Sequence, residues 1–349
     1  MRHFFKLLIC LGGLLAVAGC GESPKKPETA GTPPPGAVST PLPTPPKPAA
    51  APAEPAAARA PAQPPLQPPA PPPATIASGA EALRIYNQGV RLLRGDGVPV
   101  DAPRAFQLFS EAAELGDAQA EHNLGILYLT GTGIARDSVK AAEWIRKASE
   151  HGVSEAQFKL AGLLAAGLGT TNDFVEAAVW LRKAADQGHI EAAYNLATFL
   201  VEGRGVTQDP QEAARWFRVA AESGKGTAQS NLGVLYARGQ GVAQDFKEAF
   251  KWFRKAAEQG YPSAQYNLAR YYVEGKAVEA DLVEAYKWYL LAAERGDPDA
   301  DRERLELSLK ISPTDMAEAI RRATQLSARW QPVPTELPGT APGQTSPPE

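Results

Sequence analysis

The chain has 349 residues, 36 basic against 39 acidic, and a formal net charge of −3. Charges of both signs are interleaved, which excludes the basic stripe of a nucleic-acid binder and any long polyelectrolyte run. The two cysteines, Cys10 and Cys20, both lie at the extreme N-terminus. No disulfide framework and no cysteine-based metal site can therefore form in the rest of the chain.

Residues 1–19 have the parts of a signal peptide. Arg2 and Lys6 give a positive start, and Leu7 to Val17 form an apolar run too short to span a membrane stably. The segment ends Val17-Ala18-Gly19-Cys20, which resembles the bacterial lipobox. The resemblance implies cleavage before Cys20 and diacylglycerol on its thiol, with each buried acyl methylene contributing about 0.8 kcal/mol to anchoring. By analogy with enteric lipoproteins, Gly21 in place of Asp favours the outer membrane, facing the periplasm. A plain secretory signal is the second reading, because Ala16-Val17-Ala18 also fits a cut before Gly19.

Of the 32 prolines, 20 fall between Pro24 and Pro73. Residues 20–79 cannot bury enough apolar surface to offset ordering entropy, so a lipidated Cys20 followed by a disordered tether is expected. Roughly 55 residues, extended at about 3.1 Å each, reach on the order of 170 Å. Pro34-Pro35 or Pro64-Pro65 could instead dock in a partner's groove, but no single P-x-x-P stands out.

From about residue 80 the chain repeats itself. Asp101, Asp137, Asp173, Asp209, Asp245 and Asp281 are spaced by 36 residues, and two glycine columns, beginning at Gly95 and Gly116, keep the same step. Alanine columns beginning at Ala105 and Ala112 do likewise, without one insertion or deletion. Within the second unit Ala120, Leu124 and Tyr128 form one apolar stripe, Gly131-Thr132-Gly133 breaks the helix, and Asp137 is placed to cap the next. Pro210 after Asp209 suits the first helical position. Ala141, Trp144, Ile145 and Ala148 then form a second stripe, which Gly152 closes. The small alanines let backbones approach, and the column Trp144, Trp180, Trp216, Trp252 and Trp288 fills space between helices.

The best copy reads Thr227-Ala228-Gln229-Ser230-Asn231-Leu232-Gly233, then Gly239-Gln240-Gly241-Val242 and Asp245. This pattern resembles the Sel1-like repeats, relatives of the tetratricopeptide repeat, over residues 82–297. The resemblance implies an all-α fold: a right-handed α-solenoid of six 36-residue helix-turn-helix repeats at 80–297. Such solenoids act as adaptors. Two departures stand out: Lys159 where other copies have Asn, and Ala277 where the turn expects Gly.

A stack of repeats must be capped at its ends. Helix is expected to continue past Gly296 to about Leu309, and Ser312-Pro313-Thr314-Asp315 reads as a capping box opening one more. Met316, Ile320, Ala323 and Trp330 would line its inner face, so residues 298–330 form C-terminal capping helices. Residues 331–349 read as a disordered tail.

No chemistry emerges from these columns. The Gly-x-Gly turns have no preceding strand, so they are turns, not phosphate cradles. His122, His151 and His189 are not spaced as a metal cluster, and no nucleophile motif is present. The column Glu176, Glu212, Glu248 and Glu284 reads as a solvated face. Neither catalysis, cofactor nor metal is expected.

By similarity with tetratricopeptide solenoids, the first helices line a concave groove. That puts Asn123 and its equivalents Asn87, Lys159, Asn195, Asn231 and Asn267 on the groove wall. An Asn row can hold an extended peptide, and Lys159 can meet a carboxylate. The alternative, preferred here, is that these residues bond the neighbouring repeat, as polar groups common to every copy tend to do. Tyr86, Phe158, Tyr194 and Tyr266 form an adjacent aromatic column, interrupted by His122 and Ser230. The sequence thus predicts a non-enzymatic scaffold of the cell envelope that binds envelope proteins and is held to the membrane by its N-terminal lipid. A structural component binding peptidoglycan or exopolysaccharide is the alternative, and a hydrolase would need a constellation that is not found.

Overall fold

The computed structural model describes residues 73–330. The signal peptide, Cys20, the tether up to residue 72 and the tail at 331–349 lie outside the described residues. Regular structure among the described residues is entirely helical: α1 (Pro73–Arg94), α2 (Ala102–Glu114), α3 (Ala118–Thr130), α4 (Ser138–Glu150), α5 (Ser154–Ala166), α6 (Phe174–Asp186), α7 (Ile190–Glu202), α8 (Pro210–Glu222), α9 (Gly226–Arg238), α10 (Phe246–Glu258), α11 (Pro262–Glu274), α12 (Leu282–Glu294), α13 (Pro298–Ser308) and α14 (Pro313–Ser327). Odd-numbered helices up to α11 are the first helices of repeats one to six, and even-numbered ones up to α12 the second. α1 opens at Pro73, inside the segment that composition assigns to the tether.

Each second helix begins with the expected aspartate, whose carboxylate accepts a backbone N–H one turn on, as Asp209 does from Glu212 at 2.8 Å. Each then ends in a residue such as Gln187, with left-handed Gly188 after it (φ +84°). The second glycine of the Gly-x-Gly turn has a different reason. A Cβ on Gly205 would lie 2.1 Å from the carbonyl oxygen of Phe174, the first residue of the preceding repeat's second helix. On Gly169 it would lie 1.8 Å from that of Ser138. The turn therefore docks backbone to backbone on the previous repeat. Gly97, in the first repeat, has only the end of the Arg91 side chain near it. Ala277 breaks the column and keeps φ +63°.

The two helices of a repeat pack on each other, and each second helix packs on the next first helix, giving a continuous stack. Alanines such as Ala141, Ala177, Ala213 and Ala249 are fully buried, so the helices meet closely where they cross. The core runs as a chain of clusters along the stack, not around one centre.

The ends are closed in two ways. In α1, Arg84, Gln88 and Arg91 are exposed where the second repeat buries Ala120, Leu124 and Leu127. The face that has no preceding repeat is therefore polar. At the other end α14 turns back onto α12 instead of pairing with α13. Ser312 caps it, its oxygen accepting from the Asp315 N–H at 3.1 Å while its hydroxyl donates to the Asp315 carboxylate at 2.8 Å. The inner face of α14 is Met316, Ala319, Ala323 and Leu326, with Trp330 beyond it. Ile320 does not belong to it. It is 43% exposed, because α14 turns its Ala319 edge to α12, where a small residue permits close approach.

Candidate functional site

The first-helix face carries the predicted Asn and aromatic columns. Asn87 is exposed, while Asn123, Lys159, Asn195, Asn231 and Asn267 are half-buried. Asn123 donates to the Tyr86 hydroxyl, one repeat back, at 3.5 Å. Asn231 stands in the same relation to Tyr194. Burial raises the pKa of the Tyr194 phenol, and its interaction with the Asn231 side chain works against that rise. Asn267 instead donates to the Ser263 carbonyl of its own helix at 2.8 Å.

The aromatic column packs inward against second helices of the same repeats. Tyr86 meets Phe109 at 5.7 Å between ring centroids, Tyr194 meets Phe217 at 5.7 Å, and Tyr266 meets Tyr289 at 5.8 Å. Two rings are also covered by the residue that starts the next first helix. His189 stacks on Phe158 at 4.6 Å, and the Lys225 ammonium lies 4.9 Å from the Tyr194 centroid. At the interruption in the fifth repeat, Tyr261 fills the space above Gly226, where an added Cβ would meet its ring at 2.0 Å.

A charged cluster joins these covers. His189 Nδ1 accepts the Ala192 N–H at 3.2 Å, so its proton sits on Nε2, which donates to Glu155 at 2.9 Å. That bond, with Lys159 at 3.6 Å, holds the Glu155 carboxyl down to about 2 despite partial burial. Lys225 reaches both oxygens of Glu191 at 2.7 Å, the same 34-residue relation one repeat on. Metal-ligand spacing of the histidines does not disclose this ladder. The signal was the 34-residue interval between opposite charges. His122 occupies an aromatic slot, and burial lowers its pKa. Its Nδ1 finds no partner among the described residues.

Two members of the glutamate column, Glu176 and Glu212, are not part of a solvated face. Glu176 accepts both guanidinium nitrogens of Arg146 from the preceding repeat, and the Trp180 indole N–H at 3.0 Å. Glu212 does the same with Arg182 and, at 3.1 Å, with Trp216. The guanidinium bonds hold both carboxyls below their ordinary value. In these two repeats the glutamate lies at the seam, within reach of the preceding repeat's arginine, whereas Glu248 pairs with Lys251 of its own helix and Arg218 turns to the Tyr236 hydroxyl at 2.6 Å. Among the described residues no group of three His, Cys, Asp or Glu side chains is placed to hold a metal, and no helix is long and apolar enough to cross a membrane.

A stack of this form, with recurrent polar columns on one face, is an α-solenoid of tetratricopeptide type. The Sel1 repeat family matches at residues 85–117, 118–153, 154–189, 190–225, 226–261 and 262–297. The chain belongs to the Sel1 repeat family, whose repeats mediate protein–protein interaction. Among solved structures it is similar to a protective antigen of uropathogenic Escherichia coli (29% identity, TM-score 0.53, 72% of this chain), of whose length the chain spans 62%. It is also similar to a Sel1 repeat protein of Oxalobacter formigenes (33% identity, TM-score 0.52, 62% of this chain and 86% of the other). The curated proteins contain no match.

Proposed function

We propose that this chain is a non-enzymatic adaptor of the bacterial cell envelope, anchored by lipid on Cys20 and presenting its first-helix face to extended segments of envelope proteins. The observation that carries this reading is the run of half-buried amides and paired charges along that face, from Asn123 to Asn267. Those groups suit a peptide backbone and its charged side chains. A glycan reading is disfavoured because sugar stacking needs free ring faces, and His189 and Lys225 cover Phe158 and Tyr194. Among the described residues Glu155, Glu176 and Glu212 are each taken up in ion pairs with neighbouring side chains, which suits a scaffold better than a hydrolase.

The test is in-cell photo-crosslinking of the tagged full-length protein from position 195 or 231, followed by mass spectrometry. Reproducible links to one or two envelope proteins are expected, with Cys20→Ala releasing the protein from the membrane fraction. Glycan fragments alone would overturn the adaptor reading. Continued membrane retention of the Cys20 variant would overturn the anchor.

A further inference from the structure

Two sets of polar contacts hold in several repeats, and the sixth has neither where the C-terminal cap touches it. The fifth keeps the second set but not the first, since Glu248 pairs with Lys251 and Arg218 with the Tyr236 hydroxyl. In repeats three and four, one glutamate accepts the indole N–H four residues on and a guanidinium from the repeat before: Trp180 and Arg146 on Glu176, Trp216 and Arg182 on Glu212. In the sixth repeat Glu284 is taken instead by Arg322 of α14, at 2.9 Å, and by Lys287. Arg254, which stands where Arg182 stands, turns to Glu258 at 2.8 Å. The buried Trp288 indole N–H is left without an acceptor among the described residues.

The second set joins the end of each second helix to its own first helix. Gln187 donates to Gln157 at 2.7 Å, and Gln259 to Gln229 at 2.8 Å. The equivalent pair in the sixth repeat is Arg295 and Gln265. Arg295 lies 4.3 Å from the centroid of Trp330, and the fully buried Gln265 keeps an oxygen without a donor among the described residues. A buried polar atom left unpaired carries its whole desolvation penalty.

The cap's own hold is slender. Ala319 and Ala323 are the buried side chains of α14, and the Trp330 indole N–H bonds the Glu258 carbonyl at 2.7 Å. What docking gains is cover for Trp288 and for Leu291, which replaces the Lys255 of the repeat before.

We infer that α14 and Trp330 form a displaceable strap on the second helix of the sixth repeat, whose release lets Arg254 and Trp288 complete the Glu284 ladder and Arg295 reach Gln265. The element has two balanced states: docked, it buries apolar surface at the expense of two polar partners; released, it restores both.

Hydrogen exchange on the full chain, read by mass spectrometry, tests this. The amides of α14 are expected to exchange through their own opening, on the order of ten-fold or more faster than those of α12. Equal protection of α14 and α12, lost in one global opening, would overturn the strap. Trp330→Ala should speed exchange in α14 alone, leave unfolding of the repeats unchanged, and move the Trp288 indole proton downfield towards those of Trp180 and Trp216. An unmoved Trp288 signal with α14 released would overturn the ladder switch, and collapse of the whole domain in both Trp330→Ala and Arg322→Gln would overturn the strap.

Discussion

Gln187 donates its side-chain amide to Gln157, 30 residues earlier, and Gln157 donates onward to the carbonyl of Ser149 at 3.1 Å. One buried glutamine thus ties the end of the third repeat's second helix to the end of the second repeat's. The fifth repeat builds the same relay from Gln259 through Gln229 to Ala221, and the second uses Glu121 with His151 at 2.7 Å. Nothing in either helix alone requires these residues. The two glutamines, Gln157 and Gln229, donate to helix-terminal carbonyls that stacking removes from water.

Gln157→Ala should therefore cost about 1 kcal/mol, because it removes both links of the relay, while the Ser149 carbonyl keeps the Gly152 N–H at 3.1 Å and the exposed Gln187 amide keeps access to water. Gln265→Ala should cost less, since the oxygen of Gln265 already lacks a donor. Urea unfolding of both variants checks the order.

The arginine–glutamate seam sets an acid limit. The folded pKa of Glu176 and Glu212 is depressed by Arg146 and Arg182, so their contribution is present above the unfolded value of about 4.3 and is lost as pH falls through the folded value. Arg182→Gln should cost about 0.5–1 kcal/mol at pH 7, the range of half-exposed pairs. It should also flatten the fall in stability below pH ~4.3. Thermal unfolding at a series of pH values measures both.

The two kinds of glycine should respond differently. Gly188→Ala meets open space and should cost only the left-handed penalty, about 1–2 kcal/mol. Gly205→Ala must also push its Cβ off the Phe174 carbonyl and should cost more than about 3 kcal/mol. Ala277→Gly, which relieves φ +63°, should stabilise by up to about 1 kcal/mol. Melting temperatures of the three variants give the comparison.

The Asn column divides by what stands one repeat behind it. Asn231→Ala removes a partner of the Tyr194 hydroxyl and should lower stability by about 1 kcal/mol. Asn195 faces Phe158, which has no hydroxyl, so Asn195→Ala should leave stability unchanged within about 0.5 kcal/mol. If Asn195→Ala nonetheless lowers crosslinking to partners, its role is in the groove. Equal loss of stability from both variants would count against the division.

The fold was legible in the sequence because its determinants are local and repeated. Asp209 before Pro210 specifies a helix start, Gly188 specifies an end, and the columns of Ala and Trp set which faces pack. The 36-residue period then permits only a stack. Even the polar end was written there, in Arg84, Gln88 and Arg91 against Ala120, Leu124 and Leu127. Stacking decided what the columns do. Glu176 and Glu212 look like surface carboxylates until the preceding repeat brings Arg146 and Arg182 across the seam. His189 looks like an isolated histidine until it lies on Phe158 and bonds Glu155. The course of α14 is likewise a tertiary outcome: periodicity assigns a face to Met316, Ile320 and Ala323, but the fit of Ala319 against α12 turns Ile320 outward. Local propensity fixes where helices begin and end, whereas partners 30 or more residues apart are set by how the repeats rotate against one another.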